Sequence, residues 1–159
     1  MQNRETKKYR VALGFKNEDD GYELLGPQGK SCVKPKAITL IRGTMTKPSG
    51  VHVFEGVMDF LSVMEQRKGT GLMNDAIVLN SVSLCRQAKS FMKKYGYGYA
   101  YTWLDNDAAG RKAHDDLALF FQSERMTHRP QNNRYESYKD VNDHHMAQIK
   151  RTIHELKGE

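Results

Sequence analysis

Two aspartates spaced i, i+2 at the end of an apolar run are the residues of this chain best placed to do chemistry. They lie in Trp103-Leu104-Asp105-Asn106-Asp107-Ala108-Ala109-Gly110. On an extended backbone such a pair points the same way. It then offers two hard oxygen ligands, the kind that hold Mg²⁺ against a phosphate. Two carboxylates this close repel unless a cation or a proton sits between them. A plainer role is also open for Asp107, which could N-cap a helix starting at Ala108. Earlier in the chain a second apolar run ends in a lone acid, Val51-His52-Val53-Phe54-Glu55-Gly56. Gly56 allows a sharp turn and lets a phosphate approach the backbone. Asp59, in the first turn of the helix expected next, can face the same cleft as Glu55. Both acids would also suit the positive end of a helix dipole. A third acidic patch is Tyr138-Lys139-Asp140-Val141-Asn142-Asp143. Here Asn142 or Asp143 is expected to cap the last helix, leaving Asp140 just outside it for a metal. His144 and His145 have no ligand spacing to another His or Cys and read as surface residues.

These acids need a frame, and the apolar pattern supplies one. From Tyr9 to Arg42 the chain is β-like. Strands are expected at Tyr9–Phe15, Tyr22–Leu25 and Ala37–Ile41, with a turn at Asn17–Gly21. Lys47-Pro48-Ser49-Gly50 reads as a connector. After it strands and helices alternate. Val51–Phe54, Ala76–Leu79 and Tyr99–Leu104 are apolar strands. Val57/Phe60/Leu61/Met64, Leu84/Ala88/Phe91/Met92/Tyr95 and Ala109/Ala113/Leu117/Phe120 recur at helical spacing. A short fourth strand is expected at Arg125–His128, inside a polar stretch. A closing helix carries Met146, Ile149, Ile153 and Leu156 on one face. Repeated β-α units imply a mostly parallel sheet of about four strands with helices on both sides. In such sheets ligands bind outside the carboxyl ends of the strands. Glu55, Asn80-Ser81 and Asp105/Asp107 each follow one of those ends.

Composition narrows the class. At 159 residues and 38% hydrophobic content, the chain suits about one domain with a small appendage. No apolar run approaches the roughly 18 residues needed to span a bilayer. The first residues lack the apolar stretch of a signal peptide. Cys32 and Cys85 stand far apart and read as buried, reduced thiols of a cytoplasmic protein. The net charge of +6 is uneven: residues 1–50 carry ten Lys/Arg against five Asp/Glu, and the remainder fifteen against fourteen. A cationic lobe beside a carboxylate site suits a polyanion held near metal ions; a solubilising surface would look the same. The expected division is a basic β-rich subdomain over residues 1–48 and an α/β domain over 49–159.

The ordered motifs resemble a known family. Phe54-Glu55-Gly56-x-x-Asp59, Leu104-Asp105-Asn106-Asp107-x-x-Gly110 and Lys139-Asp140-x-Asn142-Asp143 together resemble the Toprim domain, a Rossmann-like catalytic fold. It is shared by DnaG-type primases, type IA and II topoisomerases and some nucleases. The resemblance covers roughly residues 51 to 145 and is nearer the primase branch. Leu13-Gly14-Phe15, Gly21-Tyr22-Glu23 and Pro35-Lys36-Ala37-Ile38-Thr39 are similar to primase-like proteins of bacterial plasmids and conjugative or mobilizable elements. In those proteins a zinc-binding Cys/His module usually precedes this region; these 159 residues hold no such spacing.

The resemblance implies Glu55 as the general acid/base, with Asp105 and Asp107 as principal ligands of Mg²⁺ or Mn²⁺. It makes Asp59 and Asp140 auxiliary ligands. Asn142 stands where primases often have a further acid, with Asp143 displaced by one, which leaves the number of ions open. The implied reaction is nucleotidyl transfer from nucleoside triphosphates in primer synthesis on single-stranded DNA, with a zinc-binding module, helicase or mobilization proteins as partners. Lys7, Lys8, Arg10, Lys30, Lys34 and Lys36 would hold the template. Tyr9, Phe15 and Tyr22 offer stacking surfaces, or core. A Toprim nuclease and a non-catalytic nucleic-acid-binding module are the alternatives.

Overall fold

The computed structural model describes residues 11–27 and 29–157. Two sheets are present among them. The first is antiparallel and three-stranded, with β1 (Leu13–Lys16), β2 (Tyr22–Gly26) and β3 (Gly29–Val33) in sequential order. The buried Asn17 shapes the turn between β1 and β2, its Oδ1 accepting from the N–H groups of Asp19 and Gly21. Phe15 and Leu25 dock this sheet on the main body. β3 escapes the sequence reading because Gly-Lys-Ser-Cys-Val has almost no strand signature. Cys85 is buried as expected, but Cys32 on β3 is only half-buried.

The second sheet has the order β4-β6-β5-β7-β8. Its strands are β4 (Thr39–Ile41), β5 (Gly50–Phe54), β6 (Asp75–Val78), β7 (Tyr99–Trp103) and β8 (Thr127–Pro130). β6, β5, β7 and β8 run parallel, and β4 pairs antiparallel with β6. The mostly parallel α/β architecture is therefore as expected. One placement differs: the strand near Ala37–Ile41 edges the main sheet instead of extending the N-terminal one. The boundary expected between 48 and 49 thus falls between β4 and the sheet that it closes. The physical reason is burial. Ala37, Ile38 and Thr39 are all nearly inaccessible, and only the larger sheet offers a core deep enough to cover them.

Four helices cover the sheet. α1 (Val57–Gln66) and α4 (Val141–Lys157) lie on one face, over Phe54, Ala76, Val78, Trp103 and Tyr135. α2 (Cys85–Tyr95) and α3 (Ala108–Ser123) cover the other, over Val51, Val53, Ile77 and Leu79. The central strands are buried on both faces, which is why they read as short apolar runs. α2 ends at Gly96, whose φ of 83° is the left-handed cap a side chain would disfavour. α4 forms as expected, but its apolar face stays open, with Met146 41%, Ile153 45% and Leu156 71% exposed. Among the described residues no helix is long and apolar enough to cross a membrane.

Candidate active site

The carboxyl ends of β5 and β7 are tied together by the residues that follow them. The Glu55 N–H donates to the Trp103 carbonyl at 3.1 Å, and the Asp105 N–H donates to Glu55 Oε2 at 3.1 Å. Gly56 then turns the chain into α1. Asp59 reaches back so that its Oδ2 accepts from the Gly56 N–H at 3.1 Å, a capping contact at the helix start. A Cβ on Gly56 would stand 3.0 Å from that oxygen and 3.7 Å from Lys30 Nζ. The glycine therefore eases the close approach of the Asp59 carboxylate to this turn, while Lys30 would meet a side chain there only in ordinary contact. Asp59 Oδ1 accepts from the Asn142 N–H at 3.4 Å, which links α1 to the start of α4.

Asp107 caps α3 with one oxygen, Oδ1, which accepts from the Ala109 and Gly110 N–H groups at 2.9 Å each. Its other oxygen, Oδ2, lies 3.9 Å from Lys139 Nζ, while Asp105 Oδ2 is 2.8 Å from the same ammonium. The capping reading of Asp107 thus holds for one oxygen, while the other is left on the side of Lys139. Repulsion between the aspartates is relieved here by Lys139. Gly110 completes the motif for a steric reason. A Cβ there would fall 2.0 Å from the Asp105 carbonyl oxygen, so only glycine lets the first turn of α3 pack on the backbone that carries Asp105.

The third motif is fixed by asparagines. Asn106 Nδ2 donates to the carbonyls of Tyr135 and Tyr138 at 3.0 and 2.9 Å, and the Asn106 N–H donates to the Lys139 carbonyl at 2.6 Å. Asn132 Nδ2 donates to Asn106 Oδ1 and to the Leu104 carbonyl. These bonds hold Lys139 and Asp140 over the end of β7. The capping expectation is corrected here: Asp140 itself caps α4, its Oδ1 accepting from the Asp143 N–H at 2.7 Å. Asn142 sits in the first turn, where its Oδ1 accepts from the Ser62 hydroxyl. Asp140 offers an acceptor one residue before the helix, ahead of both Asn142 and Asp143.

The result is a cleft of about 270 Å³ lined by Lys30, Glu55, Asp59, Asp105, Lys139 and Asp140, with Asn80 and Asn142 at its edge. Burial, with Asp140 and Asp105 nearby, pushes the Asp59 carboxyl up to about 7. Burial also raises Glu55, aided by the charges of Asp105 and Asp107, and it raises Asp105 against the opposing pull of Lys139. Asp107 moves the other way, lowered by the backbone donors of its capping role, Gly110 first. Lys139 is raised by its hydrogen bond to Asp105. The buried acids are short of positive charge and present hard oxygens, so the donor set fits a divalent cation. As they stand, no three Asp, Glu, His or Cys side chains among the described residues share a common ion position. Lys139 holds the Asp105 oxygen that such an ion would take.

The structure brings Glu55, Asp59, Asp105 and Asp140 to one cleft; Asp107 does not line it and is linked to it through Lys139. Lys30 also lines it. Lys34 and Lys36 are exposed elsewhere on the N-terminal segment, and Lys7, Lys8, Arg10 and Tyr9 lie outside the described residues. Phe15 is packed against the core and Tyr22 is 39% exposed. Sequence reasoning gave Lys139, Asn106 and Asn132 no role. Lys139 stood inside a quoted motif; the asparagines carry no signal until their backbone partners are adjacent.

Fold and site together define an α/β domain that gathers carboxylates at the carboxyl edge of a parallel sheet. The chain belongs to the Toprim-like family, which it matches over residues 52–145. Its fold is similar to the primase fragment of the bacteriophage T7 primase-helicase protein, at 18% identity and a TM-score of 0.59. That likeness covers 91% of this chain and 60% of the fragment, so the chain spans less than two thirds of that neighbour. It is also similar to the Aquifex aeolicus primase (zinc-binding and RNA polymerase domains), at 14% identity and a TM-score of 0.51, covering 81% of this chain and 36% of that one. At these identities the likeness concerns the fold. Curated proteins gave no match.

Proposed function

We propose that this chain is the Toprim part of a primase, transferring nucleotides in primer synthesis on single-stranded DNA within a cytoplasmic replication or transfer protein of a mobile element. The observation that carries the reading is the convergence of Glu55, Asp59, Asp105 and Asp140 in one cleft at the ends of β5 and β7, with Lys30 and Lys139 beside them. Primase-type neighbours in fold and the Toprim-like match support it.

In this reading Asp105 and Asp107 hold Mg²⁺ or Mn²⁺, and Asp59 and Asp140 assist. A bound divalent ion supplies charge neutralisation for the triphosphate and acidifies an attacking 3′-hydroxyl. Glu55 receives the hydroxyl proton. Its Oε2 is fixed by the Asp105 N–H, which orients the carboxylate and leaves Oε1 for the proton. Its raised pKa brings it closer to the proton affinity a general base needs at neutral pH. Lys139 and Lys30 face the same cleft and meet the phosphates once the carboxylates are otherwise neutralised. The basic N-terminal segment, with Lys30, Lys34, Lys36 and the more N-terminal Lys7, Lys8 and Arg10, holds the template; residues 49–159 carry the acids of the site, and Lys30 reaches into it. A zinc-binding module or a helicase completes the machine.

The test is primer synthesis on single-stranded DNA with Mg²⁺ or Mn²⁺, comparing the wild type with Asp105→Asn and Glu55→Gln. Loss of product in both variants with retained folding is expected. Full activity in Asp105→Asn would remove the metal role, and cleavage of DNA without nucleotides would move the assignment to a nuclease.

A further inference from the structure

A second concave site lies on the same strands, away from the acids. β7 reads Tyr99-Ala100-Tyr101-Thr102-Trp103. Ala100 and Thr102 are fully buried, while the three aromatic residues share the other face of the sheet. His52 of β5 stands opposite Tyr101, and their rings stack at 4.7 Å and 19°. The Trp103 indole N–H donates to His52 Nδ1 at 3.1 Å, which fixes the histidine tautomer with its proton on Nε2. Burial, with Arg67 nearby, lowers the His52 pKa to about 4, so the ring is neutral in use. Val63 and Gln66 at the end of α1, with Arg67 just beyond it, form one wall over this half of the sheet. The resulting pocket is about 420 Å³, larger than the acidic cleft, and no carboxylate lines it.

Its walls combine two kinds of group. Arg67 and Arg134 border the aromatic floor, with the Arg134 guanidinium 5.8 Å from the Trp103 ring centre. Gln66, Asn74 and Gln131 contribute amides. The site does not end at its rim. Arg129 lies over Tyr99 at 5.2 Å and over Tyr101 at 5.7 Å, and Tyr99 is 38% exposed. An aromatic and guanidinium strip therefore leads out of the pocket along β7 and β8. Aromatic side chains, guanidinium groups and amides without any carboxylate are the groups that take an unpaired base together with its phosphate. The strip favours a continuing strand over a single nucleotide.

We propose that this pocket and strip form a binding track for single-stranded nucleic acid, with an unpaired base seated in the pocket against the ring edges of His52 and Tyr101 and flanking phosphates on Arg129 and Arg134. His52 and Glu55 are three residues apart on one strand, so the track lies about 10 Å from the acidic cleft along the sheet. Binding here needs no metal.

The test uses the 159-residue chain in EDTA. Trp103 is the only tryptophan, so its emission reports on the pocket directly. A thymidine oligonucleotide is expected to quench it and to bind by fluorescence anisotropy, whereas thymidine monophosphate at the same nucleotide concentration is not. Arg129→Gln with Arg134→Gln, both exposed positions, is expected to weaken oligonucleotide binding about tenfold and to flatten its salt dependence by about two phosphate contacts. Tyr101→Leu should weaken it severalfold, because the ring that braces His52 and carries Arg129 is lost. Unchanged affinity in the double arginine variant, or no oligonucleotide binding at all, would overturn the proposal. Equal quenching by the monophosphate would overturn the strand in favour of a free nucleotide. Glu55→Gln and Asp105→Asn should leave this binding intact, so failure of primer synthesis and failure of the track are separable.

Discussion

Asp59→Asn should stabilise the metal-free protein most at alkaline pH and by only about 1–2 kcal/mol at pH 5. Asp59 is buried, and its pKa rises from 3.8 to about 7. At ~1.4 kcal/mol for each tenfold change in proton affinity, that rise corresponds to about 4 kcal/mol. The folded state binds the extra proton between about pH 4 and 7, so stability contributed by the neutral acid is present at low pH. It is lost as pH rises through about 7, and is absent at pH 8. Asparagine keeps one acceptor oxygen and cannot ionise. At pH 5 it replaces a folded-state acid that is neutral and of the same shape, while the unfolded acid is already ionised, which leaves a gain of about 1–2 kcal/mol. At pH 8 it replaces a buried anion crowded by Asp140 and Asp105. Urea unfolding in EDTA at the two pH values measures the difference. The expected gain at pH 8 is about 3–5 kcal/mol, or roughly 10 °C in Tm for a domain of this size. Mg²⁺ should shrink the gain by stabilising the wild type selectively. An equal effect at pH 5 and pH 8 would refute the charge argument and leave only a packing effect.

Other expectations follow from the same cleft. Lys139→Ala removes the ammonium beside Asp105; because its side chain is 55% exposed, screening limits the effect to about 1 kcal/mol. Mn²⁺ titration calorimetry should show binding tightened about fivefold, and weakened binding would show that Lys139 helps build the site. Gly110→Ala forces a Cβ to 2.0 Å from the Asp105 carbonyl oxygen and should cost about 3 kcal/mol or more, read as a lowered urea midpoint. Asn106→Ala leaves the carbonyls of Tyr135 and Tyr138 without their donor and should cost about 2–3 kcal/mol. Its primer synthesis should fall further than its stability, because Lys139 and Asp140 lose their anchor. Glu55 as the base should set the acid limb of the pH–rate profile, with the rate rising with pH through that group's raised pKa, and Glu55→Gln should flatten the limb.

The central architecture was legible because burial writes itself into the chain. Val51–Phe54, Ala76–Leu79 and Tyr99–Leu104 are apolar on both faces, and α1, α2 and α3 show their inner stripes. The acids were legible by position, since each follows such a run. What could not be read was pairing at long range. Nothing in Thr39–Ile41 says that its partner is Ala76–Val78, and β3 has too weak a composition to announce itself. The expected fourth strand sits two residues later than read, at Thr127–Pro130, where a proline is tolerated at an edge. The site failed to read through wherever its logic is main-chain. Asn106 and Asn132 act on carbonyls that become neighbours only after folding, and Asp140 takes the helix cap assigned to Asn142 or Asp143. The face of α4 taught the opposite lesson, for Met146, Ile149, Ile153 and Leu156 form a core-like stripe that stays open.

β4 carries a consequence for anyone dividing this protein. It pairs with β6 and so closes one side of the large sheet with a strand taken from before the connector. A piece beginning at residue 49 would leave Asp75-Ala76-Ile77-Val78, buried throughout, as an unpaired hydrogen-bonding edge. Such edges recruit one another. The cut that composition invites would therefore yield a sticky fragment, and a start upstream of Thr39 a well-behaved one.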